Sequence, residues 1–441
     1  YLVDHRKLYR GATPIVLRPQ STAEVAEIMK LCSSERVGVV PVGGNTGYCG
    51  GATPSEDGRQ IVVSLARMRR IRHVDPLNYT LIAEAGCVLA DVQAAAEAVD
   101  RLFPLSLGSE GSCQLGGNLS TNAGGTAVLR YGMMRDLVLG LEVVLPDGRV
   151  LDGLKSLRKD NTGYDLRDLF IGAEGTLGII TAAACKLFSR PASLVTALVA
   201  VRDPSAAVDL LARLRSATGD AVSTFELIPR IAIDMVLRHI DQVSDPLERP
   251  YDWYVLLEIG SGRSDAGLRE AIESELAAAM EDGTVLDAAL AESEAQRTML
   301  WKIRESIPEA QSREGASIKH DVSVTTSELP RFIEEASRAI TALIPQGRIV
   351  PYGHLGDGNL HFNVSEPAGG QSDFLSLGPQ VQRAVHDLIA RYGGSFSAEH
   401  GIGRLKRAEL VRYKDPVALD VMRAIKGALD PQGIMNPGKV L

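Results

Sequence analysis

Apolar positions in the first 190 residues alternate between the spacing of buried strands and that of amphipathic helices. Short apolar runs at 37–41, 61–65 and 79–83 predict strands. Ser21 and Glu24 have the spacing of a capping box, in which a hydroxyl and a carboxylate satisfy the first free amides of a helix. The pattern also predicts an Ala-rich helix over 88–102 and a hairpin over 137–151.

The second half of the chain repeats a strand–helix–strand theme without a fixed sequence period. Strands are predicted at 194–201, 222–228 and 254–259, and helices at 205–216 and 268–279. Such units indicate an α+β architecture in which helices cover a sheet. The last residues, 431–441, are rich in Pro and Gly and predict a docked irregular segment.

Composition narrows the class of protein. The chain has 441 residues, of which 45% are hydrophobic and 23% charged, as in ordinary globular proteins. Its net charge of -8 and its lack of a basic stripe argue against nucleic acid or an anionic membrane as partner. No run approaches the roughly 20 apolar residues of a transmembrane helix. The five scattered cysteines predict reduced thiols, with neither a disulfide framework nor an iron–sulfur ligand set.

Glycine is unusually frequent, and it is clustered. The 43 glycines concentrate around 43–51, 108–125 and 172–178, and again near the histidines described below. The segment PVGGNTGYCGG at 41–51 follows a predicted strand, so its successive amides can form a nest for phosphate oxygens. It has neither the following helix of a Rossmann loop nor a Walker lysine. Each cluster alone is also compatible with a plain turn, but together they suit a long ligand with a diphosphate and a flat ring.

Three of the eight histidines lie in two short segments, PYGHLGDGNLH at 351–361 and SAEHGIG at 397–403. His and carboxylate are the usual ligands of borderline metals. The spacing of His354 and His361 suits a glycine-rich turn that brings two strand ends together. Two structural histidines are the alternative interpretation, and we favour a metal.

These motifs carry a family resemblance. The sequence resembles the FAD-dependent oxidoreductases of the vanillyl-alcohol oxidase / p-cresol methylhydroxylase type, over nearly the whole chain and in five ordered motifs. Within them it looks like the D-2-hydroxyacid dehydrogenase branch, closest to the D-2-hydroxyglutarate dehydrogenases. The resemblance implies an α+β, two-lobed FAD-binding fold with a helix-covered antiparallel-sheet cap domain. It implies an FAD domain over 1–190, a substrate and metal domain over 191–400, and a segment over 401–441 that returns to the FAD domain.

The resemblance also implies which residues hold the cofactor. The loop at 43–47 matches the family's diphosphate loop, the second cluster lies along the flavin, and the third holds the adenosine end. The implied FAD-binding residues are Gly43, Gly44, Asn45, Thr46, Gly47, Gly108, Gly117, Asn118, Thr121, Gly124, Gly125, Glu174, Gly178, Ile180 and Asn436. Because the first loop has no His and Cys49 lies at no known attachment position, we expect non-covalent FAD.

The metal and substrate groups follow from the same resemblance. Family members that use a divalent metal place residues matching His354, His361 and Glu399 at the ion, with zinc first and manganese or iron as alternatives. His400 is then the catalytic base and a substrate contact, since an imidazole titrates near neutral pH.

The remaining implied residues bind substrate carboxylates. Arg304 matches the arginine that binds the α-carboxylate, since a planar guanidinium can donate two parallel hydrogen bonds to a carboxylate. Lys319 and Asn363 match polar contacts to a second carboxylate. One departure weakens the dicarboxylate assignment, because Pro308 stands where those enzymes carry a Thr. His320 and Asp321 are interpreted as structural polar residues.

The implied reaction is the metal-assisted oxidation of a D-2-hydroxy acid, with D-2-hydroxyglutarate favoured, by hydride transfer from Cα to flavin N5. D-lactate, glycolate or D-malate are alternative substrates. A metal-dependent hydrolase with a nucleotide-binding lobe, and a flavin-binding subunit inactive without partners, are alternatives of other classes. Because the chain has no cysteine cluster, the electrons are expected to leave to an external acceptor such as an electron-transfer flavoprotein or a quinone. A homodimer is the default for an open oligomeric state, and the location expected is the bacterial cytoplasm, or the mitochondrial matrix after removal of a leader.

Overall fold

The computed structural model describes residues 1–264, 267–370 and 372–441. These residues form two compact units. Unit 1 comprises Tyr1–Gly125, Tyr131–Arg190 and Glu399–Leu441, and unit 2 comprises Thr126–Arg130 and Pro191–Ala398. Glu399 and His400, which the sequence analysis assigns to the middle domain, are therefore counted with unit 1.

The first 190 residues contain short strands and helices in alternation. The strands are β1 (Val16–Leu17), β2 (Gly38–Val42), β3 (Gln60–Ser64), β4 (Ile71–Asp75), β5 (Thr80–Glu84), β6 (Arg101–Leu102), β7 (Val138–Val144), β8 (Val150–Gly153), β9 (Ile179–Lys186) and β10 (Phe188–Ser189). The helices are α1 (Thr22–Glu35), α2 (Leu89–Glu97), α3 (Leu115–Ser120), α4 (Val128–Tyr131) and α5 (Arg167–Phe170).

Two sheets organise unit 1. A parallel sheet has the order β1-β3-β2, and an antiparallel sheet has the order β4-β5-β9-β7-β8. Helix α1 turns its buried face, which includes Val25 and Met29, into a core shared with Val39 and Val63 of the parallel sheet. Its start follows the predicted cap, since the Ser21 hydroxyl accepts a hydrogen bond from the Glu24 backbone nitrogen. The Glu24 carboxylate, however, accepts from the backbone nitrogen of Gln20 rather than of Ser21.

The predicted helix over 88–102 is wrong in its last third. Helix α2 ends at Glu97, and Asp100 takes a left-handed φ of 56° that redirects the chain. Arg101 and Leu102 then form β6, which pairs with β10. The Ala-rich pattern could not show this end, because the pairing that competes with the helix comes from a strand more than 80 residues away in sequence.

Unit 2 is built on longer strands. These are β11 (Ser193–Val201), β12 (Val222–Pro229), β13 (Trp253–Ser261), β14 (Val285–Leu290), β15 (Ser317–Ile318), β16 (Val322–Ser323), β17 (Arg348–His354) and β18 (Asn359–Ser365). The helices are α6 (Pro204–Thr218), α7 (Arg230–His239), α8 (Leu268–Glu281), α9 (Glu294–Glu305), α10 (Ile307–Arg313), α11 (Leu329–Leu343) and α12 (Gly378–Arg391). Single 3-10 turns occur at Thr326–Glu328, Leu355–Asp357 and Phe374–Leu377. Helices α13 (Arg407–Tyr413) and α14 (Pro416–Leu429) follow in unit 1.

The sheet of unit 2 is antiparallel and has the order β14-β11-β13-β12-β17-β18-β15, with β16 also paired to β18. Successive residues of β11 point to opposite faces, so Val199 joins the core under α6, α8, α11 and α12. Leu198 joins the core under α7, α9 and α10. The predicted helix-covered antiparallel sheet is confirmed, and helices cover both of its faces.

The C-terminal residues pack beside the parallel sheet of unit 1. Met435 forms a parallel bridge with Val39, and the backbone of Val39 exchanges 2.8 Å hydrogen bonds with Ile434 and Asn436. The segment thus continues the sheet at the edge strand β2, which leads into the first glycine loop. Among the residues described, no helix combines the length and the apolar character needed to cross a bilayer.

Candidate active site

A cleft in unit 1 forms around the first glycine loop. Strand β2 ends at Val42, and the loop that follows is forced to be compact because a Cβ on Gly44 would lie 2.2 Å from the Ser112 carbonyl oxygen. Asn45 adopts a left-handed φ of 54° and donates through its side-chain amide to the Val3 carbonyl oxygen. The loop therefore holds a fixed, unusual backbone shape.

The cleft has a volume of about 940 Å³, counting the space open to solvent, which is within the range of ligand sites. It is lined by most of the predicted cofactor residues. Those in its wall are Gly43, Gly44, Asn45, Thr46, Gly47, Gly117, Asn118, Thr121, Glu174, Gly178 and Ile180. Gly108, Gly124, Gly125 and Asn436 are not in its wall.

Three features of the cleft fit a bound dinucleotide. Within the described part of the chain, the backbone nitrogens of the loop 44–47 donate no hydrogen bond to protein, which leaves them for phosphate oxygens. A Cβ on Gly47 or Gly117 would meet no atom within 4 Å, so their backbone faces open space. The side-chain oxygen of Gln114 is buried without a hydrogen-bond partner in the protein, and it lies 3.6 Å from the position of a Cβ on Gly43.

Glu174 lies in the cleft wall, but its carboxylate is engaged by the protein. Its two oxygens accept 2.7 Å hydrogen bonds from the backbone nitrogens of Ile402 and Gly403. Burial raises the pKa of Glu174, and these two hydrogen bonds and the charge of Lys406 oppose that rise. The carboxylate thus fixes the glycine-rich segment 401–403 to unit 1. Its predicted contact with the cofactor stays a prediction.

His400 and Glu399 directly precede that fixed segment. His400 lines the cleft, and its ring meets the Tyr48 ring edge-on with centroids 4.7 Å apart. A side-chain oxygen of Glu399 accepts a 3.2 Å hydrogen bond from the backbone nitrogen of Gly125. Gly125 has a φ of 111°, and a Cβ there would lie 2.1 Å from the Ser106 carbonyl oxygen. Gly125 is therefore placed to hold Glu399 rather than to line the cleft.

Asn436, which also lies outside the cleft wall, has a similar bracing position. Its side-chain amide donates to the carbonyl oxygens of Gly51 and Glu174, at 2.9 and 2.8 Å. It thereby links the C-terminal segment to two parts of the wall. These contacts hold parts of the cleft wall together, and the predicted contact of Asn436 with the cofactor stays a prediction.

The two predicted histidine ligands lie side by side in unit 2. His354 ends β17, a 3-10 turn follows, and His361 is the third residue of β18. Their ring centroids are 5.8 Å apart. The turn requires Gly358, which has a φ of 81° and whose Cβ would lie 2.0 Å from the Val324 carbonyl oxygen. The pair offers two imidazole nitrogens, which fits half of a metal site.

The third predicted ligand, Glu399, follows the end of unit 2 in sequence. Ala398, the last residue of unit 2, donates from its backbone nitrogen to the Asp321 carbonyl oxygen. The Asp321 carboxylate accepts from the side-chain amide of Asn359, two residues before His361. Glu399 directly follows Ala398 in sequence. The interpretation of Asp321 as a structural residue stays a prediction.

Arg304 is buried on α9, where its guanidinium is oriented by two side chains. Its Nε donates to Glu226 Oε2 at 2.6 Å, and its Cζ lies 5.0 Å from the centroid of the Tyr352 ring. The other Glu226 oxygen lies 2.5 Å from His354 Nδ1. Burial favours the neutral form of Glu226, but the charge of Arg304 and the contact with His354 outweigh it and lower its pKa to about 2.

The remaining predicted substrate residues lie on and beside β15. Lys319 is exposed and sits between two buried residues, Ile318 and His320. The side chain of Asn363 accepts from the His320 backbone nitrogen and donates to Gln311. Asn363 thus braces the segment that carries Lys319. Pro308 stands in the first turn of α10, where it contributes no hydroxyl.

Sequence reasoning missed two residues of these sites. Gln114, in the cleft wall, lies just before the second glycine cluster and belongs to no recognisable motif. Glu226 had a signal: it is the one acidic residue in VSTFELIP, a strand whose other central positions are apolar and buried. A charged residue at a buried strand position predicts a specific partner.

Known families and proteins agree with this geometry. The family described as "FAD binding domain" matches residues 13–153, and "FAD linked oxidases, C-terminal domain" matches 190–440. A relative from Oryza sativa subsp. indica named "Probable D-2-hydroxyglutarate dehydrogenase, mitochondrial" is 41% identical over 440 residues, covering 100% of this chain and 77% of the relative. The "D-2-hydroxyglutarate dehydrogenase" of Stutzerimonas stutzeri (strain A1501) is 36% identical, covering 100% of this chain and 93% of the relative.

A solved structure supports the fold. The structure of p-cresol methylhydroxylase with substrate bound aligns with a TM-score of 0.74 at 15% identity, covering 98% of this chain and 89% of that chain. At that identity the likeness shows the fold alone, which is the α+β FAD-binding fold predicted from the motifs. Together with the family matches over both parts of the chain, the relatives settle the classification. The chain belongs to the family of FAD-linked oxidases that includes the D-2-hydroxyglutarate dehydrogenases.

Proposed function

We propose that this protein is an FAD-dependent D-2-hydroxyacid dehydrogenase that oxidises D-2-hydroxyglutarate to its 2-oxo acid. The observation that carries the proposal is the similarity, along its whole length, to relatives that bear this name. The cleft supports the cofactor half of the proposal, because its unpaired loop amides and its buried Gln114 oxygen suit a dinucleotide. Bound FAD would supply the acceptor for the hydride that leaves Cα, and this hydride carries both electrons of the oxidation.

The residues of unit 2 have the chemistry to bind a hydroxy acid. Arg304 offers a planar fork of donors, which suits the α-carboxylate of the substrate. Lys319 offers a second cation for the distal carboxylate of a dicarboxylic acid. Asn363 supports this contact indirectly, since it holds the backbone next to Lys319. Holding the carboxylate fixes which face of Cα reacts.

We assign the proton and the metal to the histidine-rich segments. His400 accepts the proton of the α-hydroxyl on an imidazole nitrogen, a role to which histidine is suited. His354, His361 and Glu399 are the proposed ligands of a divalent ion. Zinc is the first candidate, with manganese or iron as alternatives, since a set of nitrogen and oxygen ligands has little selectivity among these divalent ions. Such an ion supplies Lewis acidity to the hydroxyl oxygen.

A smaller substrate is the second candidate. Pro308 removes the hydroxyl expected for a distal carboxylate contact, and Lys319 is exposed. Both observations favour a shorter acid such as D-malate, or a monocarboxylate such as D-lactate or glycolate, over a tightly held five-carbon diacid. The electron acceptor is proposed to be external, an electron-transfer flavoprotein or a quinone. The cytoplasm or the mitochondrial matrix is proposed as the location.

The test is a visible spectrum before and after anaerobic addition of D-2-hydroxyglutarate. The proposal expects a yellow protein that bleaches as the flavin is reduced, with D-malate and D-lactate bleaching it more slowly. A colourless protein would favour the hydrolase alternative. A yellow protein that no hydroxy acid bleaches would favour a flavin-binding subunit that needs partners. Faster bleaching by D-malate would keep the chemistry and change the substrate.

A further inference from the structure

Glu226 is a fully buried carboxylate at the centre of unit 2. It lies on β12, and its neighbours along the strand, Phe225 and Leu227, are buried apolar residues. A carboxylate in such a place is costly unless both oxygens are paired. Here both are: one lies 2.6 Å from Arg304 Nε and the other 2.5 Å from His354 Nδ1. The Glu226 carboxylate therefore contacts both Arg304 and His354, which the proposed function assigns to substrate binding and to metal binding.

The pairing belongs to a closed ring of five side chains. Glu226 and His354 are cross-strand partners of β12 and β17, and Tyr352 and His361 are cross-strand partners of β17 and β18. The Tyr352 ring lies beside the His361 ring, with centroids 5.2 Å apart, and beneath the Arg304 guanidinium. The ring closes where Arg304 meets Glu226. Each of the two histidines and the arginine therefore has two neighbours within the ring.

The donors and acceptors in this ring also fix the tautomer of His354. The guanidinium of Arg304 is only a donor, so Glu226 Oε2 must accept from it. An ionised carboxylate is only an acceptor, so Oε1 must accept from a hydrogen on His354 Nδ1. A neutral His354 then carries its lone pair on Nε2, which is the atom that would ligate a metal. This is the arrangement by which carboxylates orient histidine ligands.

We infer that Glu226 is a positioning residue that sets both the metal-binding tautomer of His354 and the orientation of the carboxylate-binding Arg304. The inference rests on the proposed function, which assigns those roles to the two partners. It couples the two parts of substrate recognition, because His354, on the side of the hydroxyl, and Arg304, which binds the carboxylate, both contact the Glu226 side chain. Glu226 itself touches neither substrate nor metal.

Glutamine cannot replace Glu226 in both contacts, although it has the same size. If its oxygen faces Arg304, its NH₂ group faces His354 and demands that Nδ1 be an acceptor. The hydrogen then sits on Nε2, where it blocks the metal. If its oxygen faces His354, its NH₂ group opposes the Arg304 N–H. Aspartate, in contrast, keeps two acceptors and is only one methylene shorter.

The test uses FAD-loaded protein from which metal has been removed with a chelator. Zn²⁺, and separately Mn²⁺, is titrated back in competition with a chromophoric chelator to obtain the metal Kd. KM and kcat for D-2-hydroxyglutarate are then measured on the reloaded protein. We expect Glu226→Gln to raise the metal Kd by about 10- to 100-fold and to raise KM, with an unchanged visible flavin spectrum. Glu226→Asp should recover most of the metal affinity.

Glu258→Gln is the matched control. Glu258 is a buried carboxylate on the neighbouring strand β13, and it pairs with Arg297 at 2.6 Å as Glu226 pairs with Arg304. Its other contacts are with Thr196 and Trp301, so it lies outside the ring. This variant should lose thermal stability and keep the wild-type metal Kd and KM. If Glu226→Gln yields no folded yellow protein, the comparison moves to Glu226→Asp against Glu258→Asp, where Glu226→Asp should keep only the small rise in metal Kd that its shorter side chain causes, and Glu258→Asp should show none.

The outcomes separate this inference from the proposed function. A wild-type protein that binds metal and is reduced by substrate, together with a Glu226→Gln variant of unchanged metal Kd and KM, overturns the positioning role alone. An equal effect of Glu258→Gln also overturns it, since the loss would then be general destabilisation. A wild-type protein that neither binds metal nor reacts with a hydroxy acid overturns the proposed function, and the inference with it.

Discussion

The side chain of Glu174 accepts a 2.7 Å hydrogen bond from the backbone nitrogen of Gly403, although the two residues are 229 positions apart in sequence. Its second oxygen accepts from Ile402. Through this buried carboxylate, the central part of unit 1 fixes the segment that follows Glu399 and His400. The position of the proposed base therefore depends on a residue that the family resemblance assigns to cofactor binding.

We expect Glu174→Gln to weaken flavin retention and to lower kcat. The glutamine has one acceptor oxygen, so its NH₂ group would face one of the two backbone N–H groups. Hydrogen bonds to charged groups contribute about 1.5–3 kcal/mol, which corresponds to a loss of about 10-fold or more in FAD affinity or turnover. Flavin release on dilution and stopped-flow reduction by D-2-hydroxyglutarate measure the two effects.

Glu84→Gln is the control for this change. Glu84 is also buried in unit 1, but its partners are Arg70 and Arg72 rather than the segment 401–403. It should lower thermal stability without changing flavin affinity. Wild-type flavin affinity and kcat in Glu174→Gln would show that the segment is held by other contacts.

The glycine motifs allowed the cofactor cleft to be predicted because their chemistry is local. A strand that runs into successive amides forms the same nest in any fold, and the loop 43–47 was identified on that basis. The family motifs also predict that Gly125 and Asn436 bind the cofactor. The structure places them behind the wall, where they hold Glu399 and Glu174. A motif indicates which residues are needed, but not whether they line a cavity or brace it.

The ring around Glu226 could not be predicted, because it depends on long-range register. Glu226 meets His354 only because β12 pairs with β17, across 128 positions of sequence. Nothing in either strand alone specifies that pairing. The unexpected end of α2 has the same origin, since Arg101 and Leu102 pair with β10. The local pattern of apolar residues predicts helices and strands well where burial alone determines the conformation. It fails where pairing with a strand that is distant in sequence determines it.

Non-covalent FAD predicts that acid precipitation will release all of the yellow colour into the supernatant. The first glycine loop has no histidine, and Cys49 is a buried thiol whose Sγ lies 3.4 Å from the Gly401 carbonyl oxygen. Colour retained in the washed pellet would establish a covalent link. In that case Cys49→Ser and Cys113→Ser, the two cysteines in the cleft wall, would identify the attachment.

Metal removal should abolish turnover and leave the flavin spectrum largely intact. His354 and His361 belong to unit 2, whereas Glu399 and the cleft residues belong to unit 1; none of the three ligands lines the cleft, so chelation should not release FAD. We expect the His361→Ala variant to bind metal at least about 10-fold more weakly, since a ligand is lost. Metal content per flavin and turnover after chelation are the measurements. Full activity of His361→Ala would exclude the metal role, and loss of flavin with metal would show that the sites are linked.

Substrate selectivity should depend on Lys319 more than on Arg304. Arg304→Ala removes the partner of the α-carboxylate and should lower kcat/KM alike for D-2-hydroxyglutarate and D-lactate. Lys319→Ala should lower it selectively for the dicarboxylate. Because Lys319 is exposed, solvent screening reduces the contribution. We expect about 1–2 kcal/mol, or roughly 5- to 30-fold. Equal kcat/KM values for the two acids in the wild type would contradict the dicarboxylate assignment and leave the flavin chemistry in place.

Lys439 provides a test of the C-terminal segment through pH. It is nearly fully buried, its ammonium lies 3.5 Å from the Pro437 carbonyl oxygen, and within the described residues no carboxylate forms an ion pair with it. Burial and the charges of Arg404 and Arg407 lower the pKa of Lys439 to about 8. The charged form is thus disfavoured in the folded protein, which destabilises the segment that holds β2 and the glycine loop.

The sign of the pH dependence follows from the lowered pKa. Below about pH 8 the lysine is charged in both the folded and the unfolded chain, so the folded protein bears the full free-energy cost of burying the ammonium. Between about pH 8 and the ordinary value of 10.5, the unfolded chain binds a proton that the folded chain lacks, so the free energy of unfolding rises with pH.

The Lys439→Met variant tests this pH dependence, because it keeps the volume of the side chain and removes its charge. We expect it to raise the melting temperature of the FAD-loaded protein by a few degrees at about pH 7, on the order of 2 kcal/mol. The difference from wild type should shrink as the pH approaches 10. A constant difference across this range, or a variant less stable than wild type at pH 7, would show that Lys439 is stabilised by its surroundings and that the segment is held by other contacts.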